Sequence, residues 1–197
     1  MERKDYLMEK NNENEDFNIN NRRDMLHDML RTEEVCYEYN NIPASDIEKR
    51  TELLKKLFKK AEGDFLIFSP FKCALGYNIE IGNMVAINSY CCILDGGEIK
   101  IGNDVWVGPN CEFISSGHSV DPKRRKAGYG YANPIVIEDN VYIGSRVTVV
   151  CPEHRGITIG ENSVIGSGSV VTKDIPPNVL AAGNPCKVIR NLPEKEE

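Results

Sequence analysis

The chain has 197 residues, a formal net charge of −6 and a hydrophobic fraction of 41%. This length allows one domain, or one domain with an appendage, and the hydrophobic fraction is enough for a packed core. The acidic balance argues against a general nucleic-acid surface, because such surfaces carry basic patches. No apolar run approaches the roughly 18 residues of a membrane span, and the start lacks an apolar signal segment. We therefore expect a cytoplasmic protein with no membrane or nucleic-acid partner.

The first part of the chain predicts a tail and a helical cap. Residues 1–20 are rich in Asn, Glu and Asp, which predicts a disordered tail. A first helix is expected over 21–35, where four apolar residues have helical spacing: Met25, Leu26, Met29 and Leu30. Ser45 precedes Glu48 by three positions, a capping-box spacing that predicts the start of a second helix. The cap, residues 21–62, either packs on the rest of the fold or also walls a substrate pocket.

Between residues 81 and 172 a large apolar residue recurs every six positions. These residues form four sets of three: Ile81, Ile87 and Ile93; Ile101, Val107 and Phe113; Ile137, Ile143 and Val149; Ile159, Ile165 and Val171. A small or β-branched residue stands four positions after most of them: Val85, Cys91, Val105, Cys111, Val141, Val147, Ser163 and Ser169. A period of six fits neither a helix nor a simple strand, and it is typical of a hexapeptide β-helix.

This period has a geometric meaning. Six residues make about one face of a prism, and three faces make one coil. The large residue and the small residue both point inward, and the glycine that often follows the large one provides an unusual φ or a close backbone approach. The pattern predicts a mainly β fold over residues 63–175. It would contain four full coils and a partial earlier one that involves Phe71, Cys73, Leu75 and Ile79.

Three interruptions break the period, and one of them is long. The steps Ile93–Ile101, Val149–Ile159 and Phe113–Ile137 span eight, ten and 24 positions. A long loop inside a compact repeat, here 114–135, is usually functional. After Val171 the register ends, and three prolines suit a covering segment over 176–197 that closes the last coil.

Few residues are candidates for chemistry. Of the three histidines, His27 is expected on a helix surface, and His154 follows Cys151 without the second pair that a zinc site needs. His118 lies in the long loop and is either a general base or an ordinary loop residue. The seven cysteines are an odd number, and those at inward positions are expected as buried thiols in a reducing compartment.

Several segments resemble the maltose and galactoside O-acetyltransferases. They are NIEIGNMVAINSYCCILDGGEIKIG, GHSVDPKRR, VYIGSRV, VIGSGSVVTKDIPPNV and AAGNPCKVIR, together with the N-terminal CYEYNN and EKRTELLKKLF. The resemblance covers about residues 22–192. The hexapeptide repeat alone is shared by many acyltransferases, but this combination of motifs is specific to the family.

The resemblance implies a homotrimer of left-handed parallel β-helices with active sites between subunits. Such enzymes move an acetyl group from acetyl-CoA to a sugar hydroxyl. By match to the family's motifs, His118 is the general base, Asn88 holds the acceptor and the reacting groups, and Asp95 lies in the acceptor pocket. Ser145 would supply a backbone N–H to the oxyanion. The coenzyme groove would be lined by Ser167, Thr172, Lys173 and Arg190.

Simple chemistry agrees with this assignment. A thioester is already activated, so the enzyme needs a base and oxyanion stabilisation but no metal. A local basic strip would hold the anionic coenzyme against an acidic chain, and it could contain Lys173, Lys187 and Arg190. Trp106 is expected at a structural corner position, and Tyr142 stands where the family often has a Trp against the coenzyme.

Departures from the family motifs affect the acceptor side. The acidic residue of the family's N-terminal arm is replaced by Asn20 or Asp24, or by nothing, and a pocket Ser corresponds to Ala74. The insertion CPEHRG is close to the coenzyme groove. Alternatives are an acyltransferase of this fold with an amino-sugar or non-sugar acceptor, and a non-catalytic scaffold. A γ-type carbonic anhydrase would need three metal-binding histidines around one site, which this chain does not offer.

Overall fold

The computed structural model describes residues 23–193. The tail expected for residues 1–20 lies outside this range. The helices are α1 (Arg23–Asn41), α2 (Ile47–Leu57) and α3 (Pro122–Lys126). Across the described residues, no helix is both long and apolar enough to cross a bilayer.

Parallel strands form three faces of a prism. Face 1 contains β1 (Lys60–Ala61), β4 (Ile79–Ile81), β7 (Ile99–Ile101), β12 (Ile135–Ile137) and β15 (Ile157–Ile159). Face 2 contains β2 (Phe65–Ile67), β5 (Val85–Ile87), β8 (Trp106–Val107), β13 (Tyr142–Ile143), β16 (Val164–Ile165), β18 (Val179–Ala182) and the antiparallel β19 (Lys187–Asn191). Face 3 contains β3 (Phe71–Cys73), β6 (Cys91–Leu94), β9 (Glu112–Ile114), β14 (Thr148–Val150) and β17 (Val170–Val171). Outside the prism, β10 (Ser116–His118) pairs with β11 (Gly130–Ala132).

The core fills the axis of the prism with stacked aliphatic side chains. On face 1, Ile81 pairs in register with Ile101, which pairs with Ile137, which pairs with Ile159. All the large and small repeat residues predicted to point inward are buried. Burial of each such Ile or Val contributes roughly 1.5–3 kcal/mol, so the stack as a whole stabilises the fold.

The prism has one more full coil than the four predicted. In this coil, the inward positions that usually hold a large residue are occupied by Ala61, Ile67 and Cys73. The repeat pattern predicted this coil only in part, because Phe65 and Phe71 stand at positions where a small residue was expected. They fit here because the helical cap, not another coil, covers this end: the rings of Tyr39 and Phe58 pack edge-on against Phe71 at 6.3 and 6.1 Å.

The helical cap packs against the first coil. Helix α1 continues to Asn41, beyond the expected end at residue 35, and Thr32 Oγ1 donates to the Leu75 carbonyl at 3.0 Å. The N-cap of α2 is Asp46, whose carboxylate accepts the Lys49 N–H at 3.2 Å, so the capping box predicted at Ser45 is wrong. Strand β1 begins at residue 60, inside the range assigned to the cap.

The sequence left two roles open for the glycine at each corner, an unusual φ or a close backbone approach, and the structure distinguishes them. A Cβ at Gly102 would lie 2.3 Å from Asp139 Oδ1, so the glycine after the large residue permits a close approach. The positive φ falls two residues later, at Asp104 (55°), and the equivalent Asn140 also has φ 55°. The register also continues past Val171, because Ile175 bridges to Ile159 and β18 extends face 2.

Candidate active site

The long loop folds into a hairpin that carries His118. Strands β10 and β11 are antiparallel, and His118 lies opposite Gly130. Helix α3 closes the tip, and Asp121 Oδ1 caps it by accepting the Lys123 N–H at 2.7 Å. The His118 side chain is exposed, so its imidazole can meet a ligand from outside the protomer.

The two residues after His118 are held from several directions. The Ser119 N–H donates to the Tyr129 carbonyl at 3.1 Å, and Arg125 Nη1 donates to the carbonyls of Ser119 and Val120 at 3.0 and 3.1 Å. The carboxylate of Glu153 accepts the Ser119 hydroxyl at 2.6 Å and the Val120 N–H at 3.1 Å. These two hydrogen bonds lower the pKa of the Glu153 carboxyl, the Ser119 bond having the larger effect.

Two glycines allow the hairpin to pack closely on the prism. A Cβ at Gly96 would lie 2.3 Å from Ser116 Oγ and 2.5 Å from Ser116 Cβ. A Cβ at Gly97 would lie 2.7 Å from the Asn133 carbonyl oxygen, and the Gly97 N–H donates to Ser115 Oγ at 2.8 Å. The hairpin therefore packs directly on this backbone.

Asn88 lies at a different edge of the prism. The turns that follow the face 2 strands stack into what we call the Asn88 edge: 88–90, 108–110, 144–146 and 166–168. The Asn88 side chain is exposed, and its Nδ2 and backbone N–H both donate to the Val107 carbonyl, at 3.2 and 3.0 Å. Ser145 and Ser167 lie two and three turns further along the same edge.

The backbone N–H expected to stabilise the oxyanion already has a partner. The Ser145 N–H donates to Ser167 Oγ at 3.1 Å. A Cβ at Gly144 would lie 2.6 Å from the same oxygen, so the three residues are in close contact. A thioester carbonyl would have to displace the Ser167 hydroxyl to reach this donor.

Asp95 binds the backbone of a neighbouring turn. Its side chain is fully buried, and Oδ1 accepts the backbone N–H groups of Ala74 and Leu75 at 3.0 and 2.8 Å. Asn78 Nδ2 donates to its carbonyl at 2.7 Å. In this protomer the side chain holds the 74–78 turn and has no exposed surface, so its expected place in the acceptor pocket stays a prediction.

The remaining predicted residues are divided among several places. Thr172 and Lys173 follow β17 on the edge after face 3, which we call the His118 edge and which comprises the turns 74–78, 95–98, 115–134, 151–156 and 172–174. Arg190 is exposed on β19, opposite Leu180. Asn20 lies outside the described residues, and Asp24 belongs to the first turn of α1.

Face 2 presents an apolar column to solvent. Trp106 and Tyr142 pair in register and are 61% and 51% exposed, which is unusual for aromatic residues. Outward positions above and below them hold Leu66, Ala86, Val164 and Leu180. Trp106 is thus an outward strand residue, and the corner position expected for it is wrong. Large exposed apolar surfaces mark interaction sites.

The other thiols and imidazoles are separate from this arrangement. His27 and His154 are exposed, whereas Cys91 and Cys111 are buried as expected. Burial raises the pKa of the Cys151 thiol to about 11, so it is an unreactive thiol at neutral pH. Over residues 23–193, His, Cys, Asp and Glu side chains do not converge into a group of three that could hold a metal.

Sequence comparisons agree with this geometry. Residues 14–63 match the maltose acetyltransferase hexapeptide capping motif, and residues 134–173 match the hexapeptide repeat of succinyl-transferase. The galactoside O-acetyltransferase of Escherichia coli K12 is 42% identical over 168 residues, which cover 85% of this chain and 81% of that protein. The chain belongs to the maltose and galactoside O-acetyltransferase family.

Solved structures of hexapeptide-repeat acetyltransferases have the same fold. A maltose O-acetyltransferase from Clostridium difficile 630 is 38% identical with a TM-score of 0.83, and the match covers 88% of this chain and 91% of that one. A Vibrio cholerae acetyltransferase, crystallised with acetyl coenzyme A, is 34% identical with a TM-score of 0.80, over 87% and 91% of the two chains. The predicted left-handed parallel β-helix with a helical cap is thereby confirmed.

Proposed function

We propose that the protein transfers the acetyl group of acetyl-CoA to a sugar hydroxyl, with His118 as general base and no metal in the reaction. The observation that carries this proposal is the exposed His118 at the end of β10, in a hairpin that the repeat itself does not require. Relatives named for galactoside and maltose, and the relative crystallised with acetyl coenzyme A, support the choice of acceptor and donor.

The chemistry needs two functions from the protein. The His118 imidazole takes the proton of the acceptor hydroxyl as its oxygen attacks the thioester carbonyl. The tetrahedral oxyanion accepts the Ser145 N–H after the Ser167 hydroxyl has moved aside. When the C–S bond breaks, the thiolate of coenzyme A takes the proton from the imidazolium, which leaves an acetyl ester, the free thiol and neutral His118.

The coenzyme would lie along the prism, with its thioester near Asn88 and Ser145. Ser167 neighbours Ser145 on the Asn88 edge, whereas Thr172 and Lys173 belong to the His118 edge. Lys187 and Arg190 are exposed on β19 and could meet the coenzyme phosphates. This division of the proposed binding residues favours a groove lined by two edges.

Two protomers would supply those edges. In one protomer, face 3 separates the Asn88 edge from the His118 edge, so Asn88 and His118 lie at opposite ends of the face 3 strands. The apolar column of face 2 offers a surface for a neighbouring copy, and a closed homotrimer would repeat that contact three times. We therefore place the active site between subunits, with Asn88 from one and His118 from the next.

The acceptor would enter beside helix α1. A pocket of about 390 Å³ lies between this helix and the start of the Asn88 edge, and it is lined by residues that include Tyr37, Asn40, Lys72 and Tyr90. This pocket favours the interpretation in which the cap also walls a substrate site. With Asp95 buried and Ala74 in place of a Ser, an amino-sugar or non-sugar acceptor is the alternative within the same reaction class.

The first experiment is to measure turnover with His118→Ala. We expect turnover with acetyl-CoA and a panel of sugars, amino sugars and serine to fall by about 10² or more, since the base is lost. The melting temperature and the oligomeric state should match those of the wild type. Near-normal turnover would exclude His118 as the base, and absence of acetyl-CoA binding to the wild type would favour a scaffold.

A further inference from the structure

The insertion Cys151–Gly156 reaches the catalytic hairpin through one side chain. Glu153 accepts the Ser119 hydroxyl with Oε1 and the Val120 N–H with Oε2, so its two carboxylate oxygens bind the two residues directly after His118. Ser119 is 1% exposed, so this contact is partly shielded from water. Arg125, Asp121 and Tyr129 also hydrogen-bond Ser119 or Val120, but all three belong to the same loop.

The insertion is itself held firmly. Asn133 Nδ2 donates to the carbonyls of Pro152 and Glu153 at 2.8 and 3.2 Å, and the Tyr131 hydroxyl donates to the Cys151 carbonyl at 3.1 Å. On its other side, Arg155 forms an ion pair with Asp174 at 3.3 Å. Glu153 therefore projects from a fixed platform and not from a free loop.

The geometry points to Glu153 as a positioning residue for His118. This inference rests on the proposed function, in which His118 is the base. A base must lie within hydrogen-bond reach of its proton, and a displacement of about 1 Å can cost a factor of 10² in rate. By fixing the two residues after His118, Glu153 sets the direction in which the imidazole leaves the hairpin. The Val149–Ile159 step of ten positions was the signal for this role in the sequence.

The test uses Glu153→Gln and Glu153→Ala in the full-length enzyme, with Glu138→Gln as a matched control. Glu138 Oε2 also accepts a backbone N–H of the next coil, that of Glu161 at 2.9 Å, but at the edge between faces 1 and 2. A Gln at 153 retains an acceptor for Ser119 and turns an N–H₂ group toward the Val120 N–H. We expect kcat to fall about 10-fold in Glu153→Gln and up to about 100-fold in Glu153→Ala, with KM and melting temperature unchanged.

A double-mutant comparison tests whether Glu153 acts through His118 or only stabilises the loop. In a His118→Ala background, Glu153→Gln should cause no further loss, because the residue acts through the imidazole. Hydrogen exchange of residues 118–121 should be faster in the Glu153 variants and unchanged in Glu138→Gln. A kcat within twofold of wild type in Glu153→Ala would overturn the inference, as would an equal loss in both backgrounds. If His118→Ala alone retains turnover, the proposed function fails first and independently.

Discussion

Asp95 is a fully buried acid with one satisfied oxygen. Oδ1 accepts two backbone N–H groups, whereas Oδ2 has no hydrogen-bond partner among the described residues. Burial raises the pKa of this carboxyl, and the backbone hydrogen bonds of Leu75 and Ala74 oppose that rise without cancelling it. The native state therefore favours the protonated acid more than the unfolded chain does.

This shift predicts a pH-dependent effect of Asp95→Asn on stability. The contribution of protonated Asp95 to the stability of the wild type is fully present below the unfolded pKa of about 3.9. It is lost as pH rises through the raised folded pKa. Asn keeps the oxygen acceptor and cannot ionise. The melting temperature of the wild type should thus fall relative to that of Asp95→Asn as pH increases. The expected fall is roughly 2–4 °C for each kcal/mol lost from the free energy of unfolding. A difference that is constant with pH would show that Asp95 does not ionise at a cost.

The hairpin is an element whose position depends on a glycine. Gly96 leaves space for the strand that ends in His118, and both Oγ and Cβ of Ser116 lie within 2.5 Å of an added methyl group. A clash with Cβ cannot be relieved by rotating the Ser116 side chain alone. Strand β10 would have to move, while the stacked coils beneath it keep their own contacts.

Gly96→Ala should therefore lower kcat by about 10- to 100-fold while the melting temperature changes by only a few degrees. The matched control is Gly96→Ala combined with Ser116→Gly, which removes both clashing atoms and should restore most of the activity. Steady-state kinetics and thermal unfolding of the three proteins decide the matter. Full activity in Gly96→Ala alone would show that the hairpin tolerates the shift.

On the scale of the whole molecule, the three faces differ in chemistry. The outward positions of face 1 include Lys60, Glu80 and Lys100, which follow one another in register. Face 2 instead carries Trp106 and Tyr142 in the centre of its apolar column. Face 2 is thus better suited than face 1 to burying apolar area against a second copy, and the proposed site between subunits requires such a contact.

Trp106→Glu together with Tyr142→Glu should dissociate the proposed trimer. Charges in the centre of an apolar interface are costly to desolvate, so sedimentation should change from a trimer to a monomer. Turnover should fall by about 10² or more, since the proposed site is incomplete in one protomer. Val136→Glu on face 1 is the matched control and should leave both mass and activity unchanged. An active wild-type monomer would disprove a site between subunits.

The repeat positions show how far the sequence alone could lead. Each large residue such as Ile87 or Val149 has the same surroundings in every coil, so a period of six is enough to predict its burial. The first coil was predicted only in part, because Phe65 and Phe71 contact the helical cap and not another coil, an end effect that no local period encodes. The roles of His118, Asn88 and Ser145, and the cytoplasmic location, stay predictions.

The sequence by itself determined the prism and its inward residues, because these depend on neighbours six residues apart or one coil away, and its motifs identified the family. Only the tertiary structure decided that Asp95 is buried, that Asn88 and His118 lie on different edges, and that Glu153 reaches Ser119. Those three facts depend on how turns of unequal length pack against one another. Such contacts join residues 20 to 34 positions apart through specific hydrogen bonds, and no periodic pattern records them.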